Sequence, residues 1–340
     1  MNGPGTAENA TVSWGLIGVG DIVRRRVGEA LRSIPGSVLA AVAAAHPERA
    51  EAFAREYSVP RWHEDWRDLV RDPDVSAVYV ATPVACHRAQ VLAAARAGKH
   101  VLCEKPLALN ARQGQDMVNA CRRAAVLLGV AYYRRYYPLV SRIREILTSG
   151  EIGTPVLTQI NAFSCFNPGL DHPRRWLLNR KIAGGGPLKD FGCHRIELLM
   201  HLFGEVRTAV HRQGNLLWRR DVEDTAVLGL VFTRQGWATL TVSHATAEAV
   251  DTLDVYGSAG SLHAPSLNGE VLLVKSAAGE REEHHPPHPN KHYPLVAAFA
   301  DAVRSGGPFA VNGEIGVAVD RITDRVYAGK RYYALSLGHG

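Results

Sequence analysis

Asp190 and His194 stand four residues apart just after Gly184-Gly185-Gly186, in a stretch that reads as a glycine-rich loop running into a helix. If the helix begins by Asp190, that spacing puts both side chains on one face, one turn apart. A carboxylate beside an imidazole fixes the ring's tautomer and raises its basicity, as a general base requires. The glycines would let a bulky ligand approach. A capping Asp and a hydrogen-bonded core His would show the same spacing, so both readings stand on these residues alone.

Two further groups could contribute. Lys105 closes a strand-like run in Cys103-Glu104-Lys105-Pro106-Leu107. At the carboxyl edge of a parallel sheet, where ligands bind, a lysine is placed for a site; a solvated surface lysine is the plain alternative. Pro106 fixes the backbone after it, and Glu104 could orient neighbouring groups. Gly15-Leu16-Ile17-Gly18-Val19-Gly20 ends the first apolar run and opens a helix. There Gly18 and Gly20, with Asp21 and Ile22 at the helix start, would let backbone N–H groups approach a pyrophosphate. Val23 occupies the third small position of the G-x-G-x-x-G pattern, so the pattern is incomplete, and its context carries the dinucleotide reading.

Those residues need elements to position them. Apolar runs at 12–17, 38–43, 76–81 and 99–103 are spaced by helical segments at 21–32, 47–57, 87–97 and 111–125. Continuous apolar strands separated by helices predict a parallel sheet covered on both faces. After residue 150 the strands expected at 156–163, 225–232, 237–244, 251–256 and 270–274 mostly follow one another directly, with turns at Gln235-Gly236 and Ser258-Ala259-Gly260. Helices expected at 192–202, 293–304 and 314–327 would pack on them. The fold class is therefore α/β: a Rossmann dinucleotide-binding domain at 12–133, then an α+β domain at 134–340 with a large, mostly antiparallel open sheet. Residues 1–11 are expected to form a flexible tail.

The second strand tip chooses the dinucleotide. A carboxylate there would hold the adenosine ribose of NAD, but the chain reads Ala44-Ala45-His46-Pro47-Glu48-Arg49. The missing acid removes repulsion against a 2′-phosphate, and Arg49 could pair with one, which favours NADP(H) over NAD(H). Glu48 and a solvated Arg49 would argue the other way.

Composition narrows the classes. Among 340 residues, 46% are hydrophobic and 21% charged, with 39 basic against 33 acidic, which suits a globular chain and chooses no partner by charge. Met1 to Thr11 is polar, no run of about 20 apolar residues could span a membrane, and five cysteines form no C-x-x-C pair. A cytoplasmic protein with reduced thiols is expected.

Taken in order, Gly18-x-Gly20, Ala81-Thr82-Pro83 with His87, Gly98 to Leu107 with its Glu104-Lys105-Pro106, Gly184-Gly185-Gly186 and Asp190-x-Gly192-x-His194 resemble the Gfo/Idh/MocA family of glucose–fructose oxidoreductases and inositol dehydrogenases, over about residues 12–330. The resemblance implies hydride transfer between NAD(P) and a sugar, polyol or cyclitol. It also implies homodimers or homotetramers formed through the C-terminal sheet. Carried over, Lys105, Asp190 and His194 match the family's catalytic trio. His194 would move the proton, oriented by Asp190, and Lys105 would stabilise charge on the reacting oxygen. The family leaves open which of Lys105 and His194 transfers the proton. Cofactor contacts would come from Gly18, Gly20, Asp21, Ile22, Ala44, His46, Arg49, Thr82, Pro83, His87, Glu104 and Lys105. Substrate contacts would come from Lys105, Arg135, Trp176, Asp190 and His194. Val84 departs from the family's common Asn, Ala44 from its acid, and Glu197 stands where an acid is common.

The resemblance also permits a glycoside hydrolase using its nicotinamide transiently, and a non-catalytic dinucleotide and sugar sensor is a rival of another class. The trio speaks against the sensor. His284, His285, His288 and His292 lie among prolines and read as a solvated connection, with no metal expected. Arg24-Arg25-Arg26 reads as a solvated helix face. Arg134 and Arg135 among tyrosines read as packing or substrate contacts, with no nucleic acid or membrane partner expected.

Overall fold

Residues 11–234, 236–329 and 332–333 are described in this structure, a computed structural model. The tail expected over 1–11 lies outside them but for Thr11, as do Gln235 and residues 334–340. The chain divides into two compact units. One holds the described residues up to Tyr133 with His288–Val317, and the other holds Arg134–Pro287 with the described residues from Ala318 onward.

In the first unit, strands β1 (Val12–Ile17), β2 (Ser37–Ala43), β3 (Arg61–His63), β4 (Ala77–Val80), β5 (His100–Cys103) and β6 (Leu128–Val130) form one sheet ordered β3-β2-β1-β4-β5-β6. Every pair is parallel. The order reverses between β1 and β4, and ligands bind outside the carboxyl ends of the strands at such a switch point. Leu16, Val78 and Val80 are wholly buried because helices cover both faces, which is why these strands read as unbroken apolar runs.

The helices are α1 (Gly28–Ser33), α2 (Pro47–Glu56), α3 (Trp66–Arg71), α4 (Val84–Arg96) and α5 (Ala111–Arg123). A π-helical turn, Val23–Val27, leads into α1. Helix α4 starts three residues before the expected 87, because Pro83, with φ −59°, is already set for helix entry and Val84 points into the core. β3, β6 and α3 were not expected; they are too short for periodicity to show.

The segment His288–Val317, expected in the second domain, belongs to the first unit. Its helix α9 (Tyr293–Ser305) buries Phe299 against Trp14 (ring centroids 5.8 Å) and against Phe309 (5.0 Å). The N–H of Val130 at the end of β6 donates to the Val311 carbonyl at 2.9 Å. Burying each such large apolar side chain is worth roughly 2 kcal/mol. The amphipathic pattern of α9 predicts a helix but does not say which sheet it covers.

The second unit is built on nine strands: β7 (Pro155–Cys165), β8 (Val206–Gly214), β9 (Thr225–Phe232), β10 (Trp237–Ser243), β11 (Ala245–Gly257), β12 (Ser261–Ala264), β13 (Val271–Ser276), β14 (Gly279–His284) and β15 (Tyr332–Tyr333). Their order is β14-β13-β12-β11-β7-β10-β9-β8-β15, antiparallel except where β10 meets β7. Helices α6 (Pro138–Ser149), α7 (Arg180–Ala183) and α8 (Cys193–Phe203) belong to this unit. Helix α10 (Gly313–Tyr327) begins in the first unit and ends in the second. In β9 and β10, Ala226, Leu228, Leu230, Ala238, Leu240 and Val242 are buried and alternate with outward residues, as in a sheet covered on one face. The register sets Val231, Trp237, Leu157 and Tyr256 in one row across the outward face.

The histidine-rich stretch is for the most part the connection expected: after β14 residues 285–292 are irregular, His284 and His288 are exposed, and His284 and His285 stand beside Glu282 (2.9 Å) and Glu283 (2.7 Å); His292 departs from it, being fully buried. Among the described residues no helix is long and apolar enough to cross a membrane, and no group of three or more His, Cys, Asp or Glu could hold a metal ion.

Candidate functional site

In the first unit the turn after β1 is shaped for close approach. Gly18 has φ +98°, and a Cβ there would stand 2.7 Å from the Ala81 carbonyl oxygen. Its N–H donates to the Ala43 carbonyl at 2.8 Å, fastening the turn to the end of β2. A Cβ at Gly20 would meet nothing within 4 Å, so open space borders the turn where the helix begins. Backbone at a switch point, beside open space and at a helix start, fits a dinucleotide's pyrophosphate. Asp21 is exposed and pairs with Arg25 at 3.2 Å, and Ile22 is half-buried. Beyond β2, Ala44 is half-buried and His46 is exposed, 3.7 Å from Glu48. Arg49 is exposed and makes no ion pair among the described residues. Arg24 pairs with Glu56, in keeping with the solvated face expected there.

Thr82 and Pro83 follow β4, and the Thr82 hydroxyl hydrogen-bonds Gln90 Oε1 at 2.6 Å. His87 is buried with Nε2 2.9 Å from the Thr82 carbonyl and Nδ1 3.1 Å from that of Leu107. Burial pushes its pKa down, against the pull of the carbonyls at both ring nitrogens. The ring therefore straps the Thr82 turn to the loop after Lys105, a positioning role that the expected cofactor contact did not anticipate.

Glu104 is buried at the end of β5. Its carboxylate accepts from the Tyr79 hydroxyl (2.9 Å) and from the Lys105 N–H (3.2 Å), and His292 Nε2 lies 3.6 Å away. Burial works to raise its pKa, but His292, the Lys105 charge and the Tyr79 hydrogen bond outweigh burial and hold it below the ordinary range. A buried carboxylate thus sits under the half-buried Lys105. His292, from the histidine-rich stretch, was not foreseen as its partner.

In the second unit the three glycines serve packing, not the ligand approach expected of them. Gly184 takes φ +85° to end α7. A Cβ on Gly185 would meet the Tyr327 hydroxyl at 2.0 Å, and one on Gly186 the Glu223 carbonyl oxygen at 2.1 Å. The Glu223 carboxylate accepts from the N–H groups of Gly186 (2.9 Å) and Leu188 (3.2 Å) and from the Tyr327 hydroxyl (2.8 Å).

A π-helical turn, Leu188–Gly192, follows and runs straight into α8. It carries Asp190, and the first turn of α8 carries His194, 3% exposed, so both belong to one helical stretch. Asp190 Oδ2 faces His244 Nε2 at 3.6 Å and Arg174 at 3.7 Å. Lys189 buries its ammonium against Asp320 at 2.7 Å, an ion pair whose breaking costs about 3–5 kcal/mol. Arg135 Nε donates to buried Glu197 Oε1 at 2.8 Å; burial pushes the Glu197 carboxyl up against the pull of that charge. Trp176 is half-buried on a short 3₁₀ turn, Arg175–Leu178. Arg134 pairs with Asp251 at 3.2 Å, so it is a packing residue.

A switch-point sheet with a dinucleotide-fitting turn, and a unit offering a carboxylate and an imidazole on one helical stretch, are the parts of a nicotinamide-dependent oxidoreductase. Residues 12–132 match the GFO_IDH_MocA model, described as an oxidoreductase family with an NAD-binding Rossmann fold, and residues 140–263 match the GFO/IDH/MocA C-terminal domain. The chain belongs to the Gfo/Idh/MocA family of oxidoreductases. It is similar to 1,5-anhydro-D-fructose reductase of Ensifer adhaerens, 33% identical over 89% of this chain and 92% of that one. It is also similar to trans-1,2-dihydrobenzene-1,2-diol dehydrogenase of Mus musculus, 32% identical over 83% of each. A levoglucosan dehydrogenase solved with NADH and levoglucosan shares the fold, with a TM-score of 0.86 at 24% identity, covering 95% of this chain and 99% of that one.

Proposed function

We propose that this oxidoreductase interconverts a secondary alcohol and its carbonyl on a sugar, polyol or cyclitol, with NADP(H) preferred over NAD(H). The observation that carries the reading is the placement of Asp190 and His194 on one helical stretch, with His194 buried. The similar proteins are named for ring compounds bearing neighbouring oxygens, which supports the same substrate class here. A bound nicotinamide dinucleotide supplies the two-electron acceptor or donor. In the oxidative direction His194 takes the hydroxyl proton, Asp190 stabilises the imidazolium that results, and Lys105 donates a hydrogen bond to the oxygen as charge develops on it. Arg135, fixed by Glu197, and Trp176 would contact the substrate. The test is dinucleotide absorbance in the presence of a panel of cyclic polyols and their ketones. No turnover with any of them, while dinucleotide binds, overturns it.

NADP preference rests on Ala44 and on Arg49, which has no competing carboxylate partner among the described residues. Ala44→Asp would set a negative charge where a 2′-phosphate would lie. The ratio of the NADP to the NAD dissociation constant is expected to rise at least about tenfold, a change of about 1.4 kcal/mol. Nicotinamide fluorescence titration reads it, and an unchanged ratio would show that this strand tip does not read the phosphate.

We also propose that a second copy of the chain covers the outward face of the nine-stranded sheet. Trp237, 67% exposed, lies there in a row with Val231, Leu157 and Tyr256. Light scattering should show a dimer or tetramer for the natural chain, and Trp237→Glu should shift it toward monomer. A monomeric natural chain at micromolar concentration would rule this out. The five free thiols support the cytoplasm as its compartment.

A further inference from the structure

His244 stands between β10 and β11 with its ring buried between Phe191 (ring centroids 5.0 Å, edge-on) and Phe166 (5.1 Å). Its N–H donates to the Asp224 carbonyl at 2.7 Å and its carbonyl accepts from the Phe166 N–H at 2.8 Å, so the main chain fixes it too. Nδ1 lies 3.1 Å from an Arg220 guanidinium nitrogen, and Nε2 lies 3.6 Å from Oδ2 of Asp190.

A guanidinium only donates, so Nδ1 must accept, and the single proton of the neutral ring is then on Nε2, facing Asp190. Arg220 itself is held by the Phe166 and Glu223 carbonyls, at 2.9 Å each, and lies over the Trp218 ring at 5.1 Å.

We infer that Arg220 and His244 are positioning residues, Arg220 selecting the Nε2–H tautomer of His244 and His244 presenting that donor to the Asp190 carboxylate. The 3.6 Å separation is longer than a hydrogen bond, as catalytic contacts often are before substrate tightens them. A neutral donor fixes the carboxylate's direction without adding positive charge beyond that of Arg174, 3.7 Å from the same oxygen, so the carboxylate can still answer an imidazolium at His194. The inference rests on the proposed role of Asp190 with His194, and the experiment separates the two.

Four variants, His244→Leu, His244→Gln, Arg220→Met and Asp190→Asn, are compared with the natural chain for kcat, KM and dinucleotide affinity on whichever polyol turns over. His244→Leu is expected to lower kcat about 10- to 100-fold, the scale at which groups that orient an active-site residue act, with KM and dinucleotide affinity nearly unchanged. His244→Gln should recover most of the loss, because its amide N–H reaches the same point. Arg220→Met keeps the ring but frees its tautomer, so it should behave like His244→Leu, and it stands in for that variant if the latter does not fold. Adding His244→Leu to Asp190→Asn should cost nothing further, since the histidine acts through the carboxylate. Full activity in His244→Leu or Arg220→Met overturns the inference, as does an equal loss in His244→Leu and His244→Gln, which would mark mere packing. Full activity in Asp190→Asn would overturn the proposed role of Asp190 and this inference together. An inactive Asp190→Asn beside a fully active His244→Leu overturns this inference alone.

Discussion

Replacing His194 by Ala is expected to lower kcat by about 100- to 10,000-fold, the range that general acid–base catalysis supplies, and to leave the dinucleotide dissociation constant within about twofold. His194 stands in the second unit, whereas the glycine turn fitted to the dinucleotide stands in the first, at Gly18 and Gly20. Loss of the imidazole proposed as proton acceptor therefore need not disturb the turn. Lys105→Met should show a similar split, because in the proposed reaction it removes the ammonium assigned to the substrate oxygen while keeping the length of the side chain. Stopped-flow turnover beside fluorescence titration measures both quantities. If dinucleotide affinity fell in step with kcat, a proton-transfer role for either residue would have to be given up.

Glu223→Ala should be strongly damaging although Glu223 takes no part in the proposed reaction. The carboxylate takes up two backbone N–H groups and the Tyr327 hydroxyl, all beside the loop that leads to Asp190. Buried donors left without an acceptor cost roughly 1–3 kcal/mol each, so a loss of about 3 kcal/mol or more is expected. For a unit of this size that lowers Tm by about 6–12 °C. kcat should also fall, because Asp190 lies two residues beyond Leu188 on the same turn. Glu223→Gln keeps one acceptor oxygen and should lose distinctly less. Calorimetry and turnover on both variants check this; a natural Tm in the alanine variant would show that the loop holds without the clamp.

Much of this was legible before any coordinates. β1 and β4 are unbroken apolar runs because they are buried on both faces, and β9 alternates because one of its faces is outward, so each pattern reports its own environment. Asp190 and His194 stand out in the sequence through their four-residue spacing after three glycines, and Lys105 through its place at the end of a strand, and these are local signals. What stayed hidden is non-local. Nothing near His244 or Arg220 in the chain marks them as neighbours of Asp190; the pairing of strands brings them there. Gly185 and Gly186 were correctly singled out and wrongly explained, since sequence shows that a side chain is absent but not what fills the space. The three residues Arg61–His63 make a strand only because β2 lies alongside, and α9 was assigned to the other domain because a helix's apolar stripe does not name its sheet.

The return of His288–Val317 to the first unit has a consequence for how the chain is made. Phe299 and Phe309, which close over Trp14 and the tight space at Gly129, leave the ribosome only after the residues that build its sheet and after residues 134–287. At about 5–20 residues per second, that sheet waits on the order of 8–30 s during translation with an apolar flank uncovered. The sheet is thus made well before the segment that seals it, and a nascent chain halted before residue 290 would carry a dinucleotide sheet still in need of shelter.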